Sequence, residues 1–133
     1  MLPDEFLSVA KTLSTQTAPS GEPRYRTITG RCYYAAYLAT RDAICVRYGF
    51  PPDSYLKHEL VCNTLAAVDT DPDVRKLGNL LSTLKLSRRH ADYTLKKALD
   101  ETISDDALVD AAAAIALVDA VKDRLPRIEP AAR

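Results

Sequence analysis

The sequence predicts an all-α protein, an antiparallel bundle of about five helices forming a single domain. Three observations predict it. Apolar residues recur at i, i+3, i+4 and i+7 in one segment after another, the spacing of helices with one buried face. Only 4 Gly and no Trp occur among 133 residues, and alanine and leucine are abundant. Pro, Gly and Ser gather between the periodic segments, where they punctuate the chain. This length fits one domain that buries a core without metals or disulfides. Residues 1–126 are expected to form that domain, with 127–133 as a flexible C-terminal tail.

The first helix is predicted over about Pro3 to Ser14, with Phe6, Val9, Ala10 and Leu13 on its apolar face. The stretch TQTAPSGEP then breaks the pattern. A long second helix follows from about Glu22 to Tyr48, with Gly49 as its C-terminal cap. Its interior, GRCYYAAYLATRDAI, lines up Cys32, Ala35, Ala36, Ala39 and Ala43, small residues that let a neighbouring helix approach closely. FPPDS is a turn, and Ser54 is read as the N-cap of a third helix running to about Val68. That helix buries Val61, Leu65 and Val68, with His58 one turn ahead on the same side. In DTDPDV, Asp71 caps a fourth helix, Pro72 takes its first position and Asp73 suits the dipole. A loop is expected at about LDETI. Ser104, Asp105 and Asp106 then open a fifth helix carrying Leu108, Ala112, Ile115, Val118 and Leu125 on its apolar side, with Lys122 and Arg124 favourable at its C-terminal end.

Composition narrows the function by exclusion. The formal net charge is zero, so the overall balance does not demand nucleic acid or an acidic membrane. Cys32, Cys45 and Cys62 are odd in number, lack a C-x-x-C spacing and lie in apolar stretches, which reads as reduced core thiols of a cytoplasmic protein. His58 and His90 are too far apart to offer a metal-ligand pair at helical spacing; no metal and no cofactor are expected. No segment reaches the roughly 18 apolar residues of a membrane span. P-loop, G-x-G-x-x-G and nucleophile-elbow motifs are absent from the sequence.

The informative stretch is LSRRHADYTLKK, Leu86 to Lys97. The apolar face of helix four runs through Val74, Leu77, Leu81 and Leu84. Helical steps carry it to Arg88, then to Ala91 and Asp92. Charged residues thus stand where the pattern asks for core, at an i, i+4 spacing that lets them pair. Desolvating such charges costs several kcal/mol each unless they are paired and hydrogen-bonded. Helix two offers partners in Arg31 and Tyr34, with Arg24 on the same side, and Tyr93 adds a second phenol. If helices two and four are neighbours, Arg31, Tyr34, Arg88, Asp92 and Tyr93 form one polar knot. It is either an ion-pair network that fixes helix packing or a groove for a nucleotide or RNA phosphate, which the guanidinium fork suits. Arg24, Arg26, Lys85, Arg89, Lys96 and Lys97 could flank it as a basic patch. Tyr33 and Tyr37, at i, i+4, read as packing residues.

These residues resemble a family. RCYYAAY, Arg31 to Tyr37, is similar to the helix-two signature R-x-Y-Y-A-x-(F/Y) of small prokaryotic HEPN domains, the higher eukaryotes and prokaryotes nucleotide-binding group. LKLSRRHADY resembles their helix-four signature ending R-x-x-A-D-Y, with Arg88, Ala91, Asp92 and Tyr93 in the matching places. The resemblance covers about Arg24 to Tyr93. It implies an all-α bundle, a homodimer through helices two and four, and a role in RNA metabolism, a toxin–antitoxin pair or defence, in some cases beside a nucleotidyltransferase partner. Many HEPN proteins are metal-independent ribonucleases with an R-x(4–6)-H motif, in which Arg holds the scissile phosphate and His is acid or base. This sequence departs from that motif. Tyr93, Thr94 and Leu95 follow Arg88 at those spacings, and Thr94, Leu95 and Lys96 follow Arg89. A ribonuclease would have to recruit His58 or His90.

The expected function is therefore an HEPN-like nucleotide- or RNA-associated interaction module. Arg31 and Arg88 would contact phosphate, Asp92 would orient them, and Tyr34 and Tyr93 would line the site. The alternatives are an endoribonuclease toxin using Arg88 with His58 or His90, and a purely structural helical partner of a nucleotidyltransferase.

Overall fold

The structure, a computed structural model, describes residues 3–15, 21–93 and 101–131. Within its helices, the side chains of residues 4, 6, 9, 13–15, 21–26, 90–93 and 101–103 are not among those described. Five helices pack together: α1 (Pro3–Thr15), α2 (Gly21–Tyr48), α3 (His58–Ala66), α4 (Pro72–Tyr93) and α5 (Glu101–Val121), with no strand among the described residues. No helix among them is long and apolar enough to cross a membrane.

Helix α2 is the centre, packed against α1, α4 and α5, while α3 lies on α4. Cys32 of α2 lies within electrostatic reach of Asp110 of α5. Farther along, Ala43 shares a depression with Lys122, and the Tyr48 hydroxyl donates to the Leu125 carbonyl at 2.5 Å. Positions rise together along both, so α2 and α5 run parallel, whereas α4 runs against both. The antiparallel expectation therefore holds for α4 against α2 and α5 but not for α2 against α5. Buried Cys32, Ala35 and Ala36 on α2, and Ala107, Ala111 and Ala114 on α5, are the small residues of these neighbouring helices.

The leucine face of α4 is as expected: Val74, Leu77, Leu81 and Leu84 are fully buried, each contributing about 1.5–3 kcal/mol by leaving water. Asp71 caps α4 through its Oδ1, which accepts from the backbone N–H groups of Asp73 and Val74 at 3.2 and 3.4 Å. Gly78 permits the α3–α4 approach. A Cβ there would meet the backbone nitrogen of Ala66 and lie 2.6 Å from the Leu65 carbonyl carbon. At the end of α2, Gly49 takes φ +70° and Phe50 N–H returns to the Cys45 carbonyl at 2.9 Å, the closure a left-handed C-terminal glycine provides.

Local expectations in α3, in α5 and in the C-terminal segment are corrected. Helix α3 begins at His58, with Lys57 at the N-cap and no side-chain cap hydrogen bond. Ser54 instead closes the preceding turn, its hydroxyl donating to the Pro51 carbonyl at 2.6 Å. The delay has a cause: Leu56 is fully buried and its carbonyl accepts from the Tyr37 hydroxyl, which holds residues 54–57 out of the helix. On α3, Cys62 is buried with Val61 and Leu65, and Val68 is only half-buried. Helix α5 starts at Glu101, so Ser104 is a buried helical residue rather than a cap. Its buried face is Ala107, Ala111, Ala114, Val118 and Val121, with Leu108 and Ile115 at the flank and Ala112 exposed. Of the segment expected as a flexible tail, residues 127–131 are described and are packed: Ile128 is buried, and Ala131 N–H donates to the Tyr55 carbonyl at 2.8 Å; 132–133 lie outside the described residues.

Candidate functional site

Three tyrosines of α2, Tyr33, Tyr34 and Tyr37, meet the first residue of α3 and the end of the leucine face of α4. Tyr33 and Tyr37 are one turn apart, so their rings stack, with centroids 6.2 Å apart and planes inclined by 25°. Both are buried. His58 lies flat on Tyr37, with centroids 3.8 Å apart and an interplanar angle of 14°. Tyr34 meets the same ring edge-on at 6.0 Å and 85°. The Tyr33 hydroxyl lies 2.5 Å from His58 Nδ1. A single imidazole is thus held by three phenols from one helix.

Arg88 arrives from α4, one turn beyond buried Leu84. Its guanidinium carbon sits 4.6 Å from the Tyr34 ring centre and 5.6 Å from that of Tyr33, within the range of favourable cation–π contact. This resolves the puzzle of a charge on the apolar face: the arginine ends the core by lying on aromatic faces rather than inside aliphatic packing. Tyr34, Tyr55, Lys57, His58, Glu59, Lys85 and Arg88 surround an open depression of about 480 Å³. A smaller one of about 160 Å³ continues along α3 and α4 through Glu59 and Lys85 to Asn63, Ser82 and Arg89.

The electrostatics of this cluster follow from burial and from two cations. His58 is pushed down to about 4, first by burial and then by Arg88 and Lys85. Its place in the first turn of α3 acts in the same direction, since a helix N-terminus disfavours a cation. The ring is neutral at pH 7. Burial first of all raises the Tyr33 hydroxyl well above the ordinary range for a phenol, so it keeps its proton. We assign Tyr33 as donor to Nδ1, which leaves the ring proton on Nε2. Tyr37 is pushed up to about 12, mainly by burial. The arrangement is therefore a neutral imidazole beside Arg88, Lys85 and Lys57, with one acidic side chain, Glu59, at the rim.

Of the residues singled out in the sequence, Arg88, His58 and Tyr34 come together here. Arg31 is half-buried on α2 and does not border this depression. His90, Asp92 and Tyr93 continue α4, but their side chains lie outside the described residues, as do those of Arg24 and Arg26; Lys96 and Lys97 are outside them altogether. Tyr33 and Tyr37, read as packing residues, do pack against another helix: both are buried, and what they hold there is His58 of α3. The signal was present in the i, i+4 tyrosine pair, but only the fold shows that the histidine of another helix fills the space beside it. Lys57, Tyr55 and Glu59 carried no sequence signal at all, being ordinary polar residues before and within a short helix.

The remaining chemistry-bearing groups do not compete. Cys32, Cys45 and Cys62 are buried free thiols. Burial raises all three, Cys32 to about 12, which makes them poor nucleophiles. No group of three His, Cys, Asp or Glu side chains able to hold a metal ion occurs among the described residues. A depression of about 450 Å³ near the far end of α2, lined by Asp42, Ala43, Val46, Arg47, Lys122 and Asp123, is largely apolar and has no histidine or tyrosine. No protein-family model, curated protein or solved structure matches this chain.

Proposed function

We propose that the depression between α2, α3 and α4 binds phosphate groups of a nucleotide or RNA, and that the protein is an HEPN-like interaction module of a toxin–antitoxin or defence system. The observation that carries this reading is the meeting of Arg88 and His58 in one open depression with Lys57 and Lys85. A guanidinium supplies fixed donors suited to phosphate oxygens. The neutral imidazole, its Nδ1 engaged by Tyr33, presents Nε2–H as one further donor. Lys57 and Lys85 add charge attraction without demanding a fixed geometry. Tyr34 and Tyr55 border the same space and offer aromatic surface to a base. The wider role rests on the sequence resemblance, as does pairing of two copies through α2 and α4. Exposed Leu86, next to Arg89 on α4, is an apolar surface that such pairing would cover.

A second reading, a metal-independent endoribonuclease, draws on the same convergence of Arg88 with His58. It is the less favoured because a neutral ring protonated on Nε2 has no free lone pair to act as general base. RNA incubated with the protein in EDTA separates the two. Binding without cleavage in wild type, weakened in Arg88→Ala, supports the module. Cleavage that disappears in Arg88→Ala and in His58→Ala but persists in His90→Ala would replace it with the nuclease. A purely structural role beside a nucleotidyltransferase corresponds to neither binding nor cleavage.

A further inference from the structure

We propose that the depression takes up an anion together with a proton, and that the proton goes to His58. This rests on reading the depression as a phosphate site and adds its regulation: affinity for the anion rises as the solution becomes more acidic.

The groups facing His58 define the coupling. From α2 come Tyr33, Tyr34 and Tyr37; from the segment before α3, Tyr55 and Lys57; from α3 itself, Glu59; and from α4, Lys85 and Arg88. Among these residue types only histidine has an ordinary pKa near neutrality, which singles out His58 as the group that can take up the proton. Burial first, and then two of the cations, Arg88 and Lys85, oppose a further positive charge on the ring. A doubly charged anion held by those cations reverses the sign of the local field and favours the imidazolium. The site is also built to accept the change. The phenolic hydroxyl of Tyr33, 2.5 Å from Nδ1, donates to the neutral ring and accepts from Nδ1–H of the cation, so heavy atoms need not move. The balance is simple: one proton leaves solvent, bonds to Nδ1, and the Tyr33 hydroxyl turns from donor to acceptor while Nε2–H points to the anion. No bond to the anion forms or breaks.

Sulfate is a suitable probe, because it holds its double charge throughout the mildly acidic and neutral range. NMR of the imidazole signals, assigned with the aid of His90→Gln, would follow His58 from pH 4 to 8 with and without sulfate, and calorimetry would give the sulfate affinity at pH 5 and 8. Sulfate is expected to raise the His58 midpoint from about 4 by about two units and therefore to bind about tenfold more tightly at pH 5 than at pH 8. His58→Gln is expected to bind sulfate with that pH dependence removed, which controls for the general rise in positive charge on acidification. Sulfate that binds equally at both pH values, with the His58 midpoint unmoved, overturns the coupling and leaves the phosphate site standing. Sulfate that fails to bind at either pH overturns the phosphate site and the coupling with it.

Discussion

The imidazole of His58 lies against the Tyr37 ring with centroids 3.8 Å apart and planes nearly parallel. This contact ties the start of α3 to the middle of α2, and the Tyr37 hydroxyl reinforces it by holding the Leu56 carbonyl. The histidine therefore serves two purposes. It is the plug that seats α3 and the inner wall of the depression, and changes at either residue should register in both stability and binding.

Removing the hydroxyl that engages His58 is the mildest disturbance of this contact. Tyr33→Phe keeps the buried ring and is expected to cost about 1 kcal/mol, read from urea unfolding. The same variant should shift the His58 signals in NMR spectra, since Nδ1 loses its partner. Unchanged stability together with unchanged imidazole shifts would contradict the assigned hydrogen bond.

Acidification should weaken the fold through the same histidine. The folded-state midpoint of His58 lies at about 4, below its value of about 6.5 in an unfolded chain. Between those values the unfolded state binds the proton more readily, so stability falls as the pH drops from about 6.5 to 4 and is independent of this residue above that window. Discounted for solvent around a partly buried ring, the loss is about 1 kcal/mol. Asp71 acts in the same sense at lower pH. Its carboxyl is held below the usual range, chiefly by Arg124, whose Nε lies 2.7 Å away, so its contribution disappears as pH falls through that depressed value. Comparing the pH–stability curves of wild type and His58→Gln isolates the upper window, where the variant should show the flatter curve.

At Gly78 the backbone of α3 lies directly against α4. Gly78→Ala gains helix propensity, about 1 kcal/mol. Its Cβ would, however, run into the backbone of Leu65 and Ala66, which cannot swing aside as a side chain can. A net loss of about 1–2 kcal/mol is expected, measured as a melting temperature lower by several degrees. A higher melting temperature would mean that the two helices are farther apart than described.

The C-terminal segment should behave as part of the core. Ile128 is buried, and Ile128→Ala is expected to cost about 2–4 kcal/mol in denaturant unfolding, whereas an alanine in a free tail would cost nothing measurable. The segment also reaches the site, since Ala131 N–H bonds the carbonyl of Tyr55, a residue lining the depression.

The helices and the α4 core face were legible in the sequence because each rests on local signals. Val74, Leu77, Leu81 and Leu84 repeat with the helical period, Asp71 and Pro72 mark a helix start, and Gly49 followed by two prolines marks an end. What escaped detection depended on contacts between segments. Ser54 has the chemistry of an N-cap, yet the burial of Leu56 and the bond from Tyr37 set the start of α3 at His58. The IEP stretch near the C-terminus looks polar and short, and only the fold supplies the surface that buries Ile128. At the site, Arg88 announced itself by interrupting an apolar face, and His58 by standing one turn ahead of Val61. The tyrosines that grip the histidine were visible as a pair but not as its partners, because the pairing joins α2 to α3 across a loop with no periodicity to read.

The most direct test of the phosphate site is the affinity of a short fluorescent single-stranded RNA at two salt concentrations, for wild type, Arg88→Ala and Lys85→Ala, with folding checked by circular dichroism. Wild type should bind and weaken steeply with salt, as phosphate contacts require. Arg88→Ala should bind about tenfold or more weakly, and each variant should show a shallower salt dependence. Folded variants with the affinity and salt slope of wild type, or a wild type that does not bind at low salt, would contradict a phosphate site in this depression.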